Sequence, residues 1–216
     1  MLTVSPTSLL GNILKTSGPA FFLAIQGSSL KTAFEIQDNR SVGLLSPVPF
    51  LTLFVNCTIW SIYGIRKKDM TIFAPNAIGV LSGLICSGIY HQNMGDKKPN
   101  QLYFLVAALI LIASTSPTAT VGYLGCALAI GTTGSPLATL KTVLQTKSTE
   151  ALPFLTSFLM FCNAIGWSSY GILLAKDPFV TVPNLVGLAL AIVQLSMFGL
   201  FGFPTLKKNS MKKLPL

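Results

Sequence analysis

Seven apolar stretches, each long enough to cross a lipid bilayer, divide the chain. A membrane helix needs about 20 mostly apolar residues, and the pattern predicts helical spans at about 16–36, 47–65, 71–91, 100–117, 120–145, 152–174 and 179–203. The first span is the least uniform, since Lys15, Gly18, Pro19, Gln26 and Lys31 interrupt it. No basic leader with a small-residue cleavage site precedes it, so we expect a retained signal-anchor. The pattern predicts an all-α membrane protein of seven transmembrane helices.

Composition supports this prediction. Charged residues make up 10% of the chain and hydrophobic residues 51%, whereas a soluble domain has about 25% charged residues. The net charge of +9 could suggest nucleic acid as a partner. However, the basic residues form short clusters between apolar stretches, which is typical of residues that set orientation in a lipid bilayer. We therefore expect no nucleic-acid partner.

The distribution of Lys and Arg predicts an outside N-terminus and a cytoplasmic C-terminus. In that orientation the cytoplasmic side holds ten basic residues: Lys31, Arg40, Lys97, Lys98, Lys141, Lys147, Lys207, Lys208, Lys212 and Lys213. The outer side holds five: Lys15, Arg66, Lys67, Lys68 and Lys176. The cluster Arg66–Lys68 opposes the orientation that the total favours.

The chain contains an internal repeat. Asn56, Trp60, Tyr63 and Gly64 recur at a constant offset of 107, as Asn163, Trp167, Tyr170 and Gly171. Asp69, Pro75, Asn76 and Gly79 recur at an offset of 108, as Asp177, Pro183, Asn184 and Gly187. The only two tryptophans occupy the same place in both copies, so chance does not account for the match.

The repeat predicts the architecture. Each copy holds three spans, and the fourth span between them gives both copies the same orientation, as two parallel three-helix bundles joined by a linker helix (3+1+3). The expected divisions are a first repeat at 1–95, a linker helix at 96–119, a second repeat at 120–205 and a basic cytoplasmic tail at 206–216. Transporters with such repeats bind their substrate between the copies, near mid-membrane.

The repeated polar and aromatic residues predict a substrate layer. Asn56, Trp60 and Tyr63 share one helical face, as do their counterparts in span six. The rise along a helix places Asn56, Trp60 and Asn76 at one level, and likewise Asn163, Trp167 and Asn184. Indole rings can cover the C–H faces of a sugar while carboxamides exchange hydrogen bonds with its hydroxyls. The alternatives are asparagines that only join helices and tryptophans that mark the membrane interface.

Two further sets of residues predict gates. Tyrosine–aspartate pairs between the repeats, Tyr63 with Asp177 and Tyr170 with Asp69, could form an outer latch, although each aspartate could also simply cap its helix. Pro49, Pro136 and Pro153 lie toward the cytoplasmic ends, where each is expected to remove a backbone hydrogen bond and permit a bend. Static kinks are the alternative.

Several kinds of site are not expected. No Asp, Glu or His lies deep in a predicted span, which favours passive diffusion over ion-coupled transport. The sequence shows no nucleophile–base pair, no His/Cys metal cluster and no phosphate-binding glycine loop. We therefore expect neither an enzyme nor a cofactor or metal. The four cysteines, Cys57, Cys86, Cys126 and Cys162, are interpreted as small buried side chains.

The stretch TKSTEALPF, the two N-x3-W-x2-YG motifs and the two D-x5-PN-x2-G motifs closely resemble the SWEET sugar transporters over about residues 27–203. That family is itself an established case of parallel repeats. The resemblance implies bidirectional, low-affinity facilitated diffusion of sugars, with Asn76, Asn184, Trp60 and Trp167 in the pocket. It implies that Asn56 and Asn163 set sugar size, and asparagine at both positions points to monosaccharides such as glucose.

The resemblance also implies an inner gate of four prolines, one each on spans one, two, five and six. Pro49, Pro136 and Pro153 match three of these positions, but Ser29 stands at the first, which affects the expected hinge of span one. Members of the family often form homo-oligomers. The plasma membrane is the expected location, with the Golgi or vacuolar membrane as alternatives.

Two rival functions remain. Related transporters with a Pro-Gln motif on spans two and six carry amino acids, but this chain has Pro49-Phe50 and Pro153-Phe154. A seven-helix receptor is the second rival, and the duplicated three-helix unit speaks against it.

Overall fold

Eight helices and one π-helical turn make up the described parts of the chain. The computed structural model describes residues 5–95, 100–132 and 134–204, without the side chains of Asn100 and Ser135. The predicted tail at 206–216, and Lys97 and Lys98, lie outside the described residues. The helices are α1 (Leu9–Asn39), α2 (Val48–Lys67), α3 (Met70–Asn93), α4 (Asn100–Thr115), α5 (Thr118–Gly131), α6 (Gly134–Thr146), α7 (Phe154–Tyr170) and α8 (Pro178–Phe201).

Seven spans result when α5 and α6 are counted as one. Among the described residues, four helical stretches are long and apolar enough to cross a membrane: Val48–Lys67, Met70–Asn93, Phe154–Ala175 and Pro178–Phe201. Helix α1 has 31 residues but carries the polar residues noted above, and α4 contributes a shorter apolar stretch, Gln101–Thr115. The all-α prediction is therefore confirmed for the described chain.

Span five differs from its prediction. The expected continuous helix at 120–145 is wrong, because α5 ends at Gly131 and α6 begins at Gly134. The run Gly131-Thr132-Thr133-Gly134 explains the break, since glycine and β-branched residues are poor helix formers. Pro136 follows in the first turn of α6, where its missing N–H costs no helical bond.

The prolines of the expected inner gate lie at helix starts. Pro49 is in the first turn of α2 and Pro153 is the N-cap residue of α7. The prediction that these prolines and Pro136 each remove a helical hydrogen bond is therefore wrong, since the first turn has no such bond to lose. The prolines inside helices are Pro19, Pro75 and Pro183.

The backbone repeats along with the sequence. In the part of the chain that the structure describes, four residues other than glycine have a positive φ: Arg40 (48°), Lys68 (53°), Lys147 (49°) and Lys176 (50°). They form two pairs at the offsets of the sequence repeat, Arg40 with Lys147 and Lys68 with Lys176. A left-handed conformation is uncommon for such residues. Its recurrence at matched positions shows that both copies fold alike at these helix ends.

A π-helical turn absorbs the extra residue of the second repeat. The offset between the copies grows from 107 at Gly64 and Gly171 to 108 at Asp69 and Asp177, so the second copy holds one more residue here. The π-helical turn Gly171–Ala175 lies in this stretch. The same closing bond forms in both copies, from Asp69 N to Gly64 O (2.8 Å) and from Asp177 N to Gly171 O (3.0 Å). A π-bulge therefore accommodates the insertion, as single-turn bulges do in helices.

The repeats interlock crosswise. Within the copies, α3 packs against α1 and α2, while α8 packs against α5, α6 and α7. Between them, α1 packs against α7 and α2 against α5. Glycines allow the close approach of α1 and α7: a Cβ built on Gly166 would lie 2.5 Å from Gly18 N and 2.7 Å from Gly18 Cα. Small residues at such contacts let helix backbones approach closely in lipid.

The linker helix α4 packs against α2 and α5, and Arg66 fixes its end. The Arg66 guanidinium donates to the carbonyl of Ser116 and, at 2.8 Å, to the carbonyl of Ser114. Cations at a helix C-terminus satisfy its free carbonyls and oppose its dipole. Arg66 thus has structural partners at the C-terminal end of α4.

We expect Gly166→Ala to lower the melting temperature of the detergent-purified protein, because the added methyl group pushes α1 away from α7. Overpacking of this kind costs about 1–3 kcal/mol. Gly88→Ala is the matched control, since a Cβ there meets nothing within 4 Å and alanine is the better helix former. An equal fall in both variants would contradict this account of the interface.

Candidate functional site

The two tryptophans face across the repeat boundary. Trp60 is 9% exposed and Trp167 is 7% exposed. A Cβ built on Gly125 of α5 would lie 3.0 Å from Cε2 of Trp60, and one on Gly18 of α1 would lie 3.0 Å from Cδ2 of Trp167. Gly18 and Gly125 are related by the repeat offset of 107, so the same contact is made twice. This pair of glycines was not predicted from the sequence, although the repeat offset between them could have identified it.

One apolar cluster contains both tryptophans. It also contains Tyr63, Tyr170 and residues from α3, α4, α5 and α8. Each tryptophan meets the tyrosine three positions later edge-on, with ring centroids 5.5 Å apart in the first repeat and 6.0 Å apart in the second. The indoles are therefore turned toward the centre of the bundle, and they are not lipid-facing belt residues.

Asn76 and Asn184 are held in the same way. Each follows a proline inside its helix, and each Nδ2 donates to the carbonyl four residues earlier, Ile72 or Val180, at 2.7 Å. This bond fixes the orientation of the carboxamide. The described residues offer no partner to either side-chain oxygen, which leaves an acceptor for a hydroxyl donor. Asn76 is 6% exposed, whereas Asn184 is half-buried.

Because Pro183 has no N–H, the carbonyl of Phe179 lacks its helical hydrogen-bond donor. The thiol of Cys126 donates to this carbonyl at 3.2 Å. The sequence argument treated Cys126 as an ordinary buried side chain and missed this contact. The contact ties α5 to α8 beside the proline, where neighbouring groups must satisfy the freed backbone.

Asn56 and Asn163 present buried acceptors. Both residues are half-buried, yet each Oδ1 is sealed from solvent without a hydrogen-bond partner among the described residues. A buried acceptor without a donor is costly, and the same cost arises in both copies. The common level predicted for these asparagines, Asn76, Asn184 and the tryptophans stays a prediction.

The structure brings both predicted tyrosine–aspartate pairs together. Tyr63 donates to Asp177 Oδ2 at 2.7 Å, and Tyr170 donates to Asp69 Oδ2 at 2.6 Å. The Oδ1 atoms cap helices, because Asp69 accepts from Thr71 N (2.9 Å) and Asp177 from Phe179 N (2.9 Å). The two interpretations of these aspartates are therefore both realised, one on each carboxylate oxygen.

One pair has a third member. Lys67 Nζ lies 3.1 Å from Asp177 Oδ2 and 5.9 Å from the centroid of the Tyr63 ring. The second repeat has no cation at the matching place, because the stretch 172–175 is apolar. Asp177 is 2% exposed, while Asp69 is half-buried. The contact of Lys67 with Asp177 was not predicted from the sequence, although Lys67 belongs to the basic cluster that opposed the predicted orientation.

The four residues of the predicted inner gate are exposed or half-buried. Pro49 and Pro153 are exposed, and Ser29 and Pro136 are half-buried. Ser29 and Pro49 line one recess of about 210 Å³, together with Ser28, Thr32, Leu45, Ser46 and Phe50. Helix α2 runs from Pro49 to Tyr63 and Lys67, so the predicted inner gate and the tyrosine–aspartate pairs lie at opposite ends of this helix.

Comparison with known proteins identifies the family. A family model described as "Sugar efflux transporter for intercellular exchange" matches residues 12–95 and 119–205. The chain belongs to the SWEET family. Among curated SWEET proteins, the mouse (Mus musculus) sugar transporter SWEET1 is 34% identical over 87% of this chain and 89% of its own length. The bidirectional sugar transporter SWEET7 of Arabidopsis thaliana is 28% identical over 90% of this chain and 81% of its own length.

A solved eukaryotic SWEET transporter has the same fold. It superposes with a TM-score of 0.78 at 26% identity and covers 87% of this chain and 94% of its own. As a SWEET protein, the chain is a multi-pass membrane protein with two parallel three-helix repeats joined by a linker helix.

The contacts of Lys67 predict unequal latches. We expect Asp177→Asn to lower the melting temperature more than Asp69→Asn, because only the first change leaves a lysine without its counter-ion. Asparagine caps helices as well as aspartate, so neither change removes the cap. Thermal unfolding in detergent measures both effects. Lys67→Met should recover part of the loss in the Asp177→Asn background, and strictly additive losses would argue against the pairing.

Proposed function

We propose that this SWEET protein carries sugars, monosaccharides such as glucose, down their gradient in either direction by alternating access. Family membership supports this proposal, and the curated relatives are named as sugar transporters. The observation that carries it is the fixed geometry of Asn76 and Asn184. Their amide donors are bound to the helix backbone, so both side-chain oxygens are left for substrate hydroxyls.

The proposed substrate layer combines these oxygens with Trp60, Trp167, Asn56 and Asn163. The indole faces would cover the apolar C–H surface of a pyranose ring. The sealed oxygens of Asn56 and Asn163 lack donors within the described protein, and sugar hydroxyls can supply them. Asparagine is larger than serine or alanine, so two asparagines leave less space in the proposed layer. The smaller space favours monosaccharides over larger sugars.

In the proposed cycle, the outer gate and the inner gate close in turn. Tyr63 with Asp177 and Tyr170 with Asp69 form the outer gate, which is closed in this structure. Ser29, Pro49, Pro136 and Pro153 form the inner gate, whose residues are exposed or half-buried here. Since all three prolines lie at helix starts, we assign the inner movement to the loops before α2 and α7 and to the break between α5 and α6.

The transport is proposed to be passive, without cofactor, metal or enzymatic activity. Within the described residues, the buried carboxylate of Asp177 caps the N-terminus of α8 and is not in the middle of a helix. Ion coupling relies on ionisable groups within the membrane. Diffusion of the sugar down its own gradient needs no ionisable group within the membrane.

The divisions of the chain are proposed as predicted: repeats at 1–95 and 120–205, a linker at 96–119 and a tail at 206–216. We also propose an outside N-terminus, a plasma-membrane location and assembly as a homo-oligomer. Arg66 binds a carbonyl at the end of α4 and Lys67 pairs with Asp177. These contacts give both cations a structural role, which supports the proposed orientation despite the positive-inside rule.

Uptake of labelled hexoses into proteoliposomes tests the function. We expect Asn76→Ala and Asn184→Ala each to reduce flux at least about tenfold, while Asn12→Ala, at an exposed position, leaves it unchanged. A tenfold loss corresponds to about 1.4 kcal/mol, which is the size of one hydrogen bond. Full flux in both pocket variants would refute the pocket, and uptake of amino acids in place of hexoses would favour the Pro-Gln type.

Passive diffusion predicts that flux is independent of a proton gradient. We expect equal initial uptake with the outside at pH 5.5 and pH 7.5, chosen to span about the range over which histidine titrates, and no effect of an uncoupler. Equal efflux from preloaded vesicles is the second arm of the test. Uptake that rises at low outside pH and falls with the uncoupler would indicate proton coupling.

A further inference from the structure

Gln26 is a buried amide without a partner. This α1 residue is 4% exposed, and both its Nε2 and its Oε1 are sealed from solvent without a hydrogen-bond partner among the described residues. Buried polar groups are normally hydrogen-bonded, and an unsatisfied amide is costly. Gln26 lies within the membrane-spanning part of α1, where bulk water is not available as a partner.

The Gln26 amide lies beside the proposed substrate layer. A Cβ built on Gly79 would lie 3.0 Å from Gln26 Nε2 and would also clash with the thiol of Cys57. Gly79 is one turn from Asn76 on α3, and Cys57 follows Asn56 on α2. The head of Gln26 therefore sits between α2 and α3 within about one helical turn of two asparagines assigned to the layer.

The second repeat has no equivalent amide. The counterpart of Gln26 at the repeat offset of 107 is Thr133, which lies outside the described residues, and the counterpart of Gly79 is Gly187. Among the described residues, a Cβ built on Gly187 meets nothing within 4 Å. An amide thus lies beside this glycine in the first copy, while no described side chain takes that place in the second.

Three of the unsatisfied atoms in the first repeat, two on Gln26 and one on Asn56, form a chemically matched set. Gln26 offers one donor group and one acceptor, and Asn56 Oδ1 offers a second acceptor. A hydroxyl both donates and accepts, so one or two hydroxyls satisfy all three atoms. A sugar supplies neighbouring hydroxyls on a rigid ring, whereas apolar ligands and simple cations do not.

We propose that the Gln26 carboxamide hydrogen-bonds a substrate hydroxyl and thereby helps to select which sugar the protein carries. This inference rests on the proposed function. It makes the layer asymmetric, with three amides from the first repeat and two from the second. A sugar has no twofold symmetry, and the extra amide gives it one preferred orientation between the repeats.

A cycle of protein variants and deoxy sugars tests the contact. Inhibition of labelled glucose uptake by glucose and by each monodeoxyglucose is measured in proteoliposomes for the natural protein and for Gln26→Met. We expect one deoxy analogue to inhibit the natural protein about 3- to 10-fold more weakly than glucose, as loss of one hydrogen bond predicts. In Gln26→Met, inhibition by glucose should weaken by a similar factor. Inhibition by that deoxy analogue should be no weaker in the variant than in the natural protein.

The matched control is Gln194→Met, because Gln194 is an equally buried glutamine at 4% exposure and lies almost three helical turns beyond Asn184 on α8. All inhibition constants should stay unchanged in this variant. Gln26→Leu repeats the cycle with a second apolar side chain. Losses that add for every deoxy analogue, or unchanged constants in both Gln26 variants, would show that the amide meets only water or protein.

The remaining outcomes are also decisive. If both Gln26 variants fail to fold while Gln194→Met folds, the amide is structural and the inference is wrong. If the natural protein transports no hexose, the proposed function fails and the inference fails with it. Hexose uptake by the natural protein with additive losses in the cycle refutes the role of Gln26 alone.

Discussion

Two glycine–tryptophan contacts set the distance between the repeats. Trp60 lies on Gly125 and Trp167 on Gly18, so the first helix of each copy bears on the second helix of the other. Lipid tails are as apolar as leucine, so helices in a bilayer associate through close packing more than through apolar burial. A Cβ at either glycine would lie 3.0 Å from the facing indole, so a side chain there would displace the tryptophan. The proposed substrate layer therefore depends on glycine at both positions.

Crosswise packing also places the residues of the proposed outer gate on different repeats. Tyr63 and Asp177 come from different repeats, as do Tyr170 and Asp69, so each hydrogen bond spans the boundary that the glycine–tryptophan contacts define. A small rotation of one repeat against the other would lengthen both bonds together. Lys67 makes the two tyrosine–aspartate pairs unequal, because it adds an ion pair to Asp177 only.

Repetition determined what could be predicted from the sequence. The tyrosine–aspartate pairs, the tryptophans and the asparagines stood out because each residue occurs twice, at an offset of 107 or 108. Lys67 and Gln26 occur once, and their importance depends on neighbours in other helices that spacing along one helix does not reveal. The break at Gly131–Gly134 was missed for a different reason: apolar composition predicts that a segment lies in the membrane, but hydropathy is insensitive to a local interruption of helical bonds.

The division of labour within each aspartate limits the energy needed to open the outer gate. Oδ2 holds the tyrosine while Oδ1 caps the helix, so the tyrosine can leave without unwinding the helix start. Hydrogen bonds to a charged group contribute about 1.5–3 kcal/mol each, and two such bonds favour the closed end by several kcal/mol. A passive carrier must visit both states often, which requires their free energies to differ little. For the proposed gates, the contacts formed when the inner end closes must therefore be similar in strength to the two tyrosine–aspartate bonds.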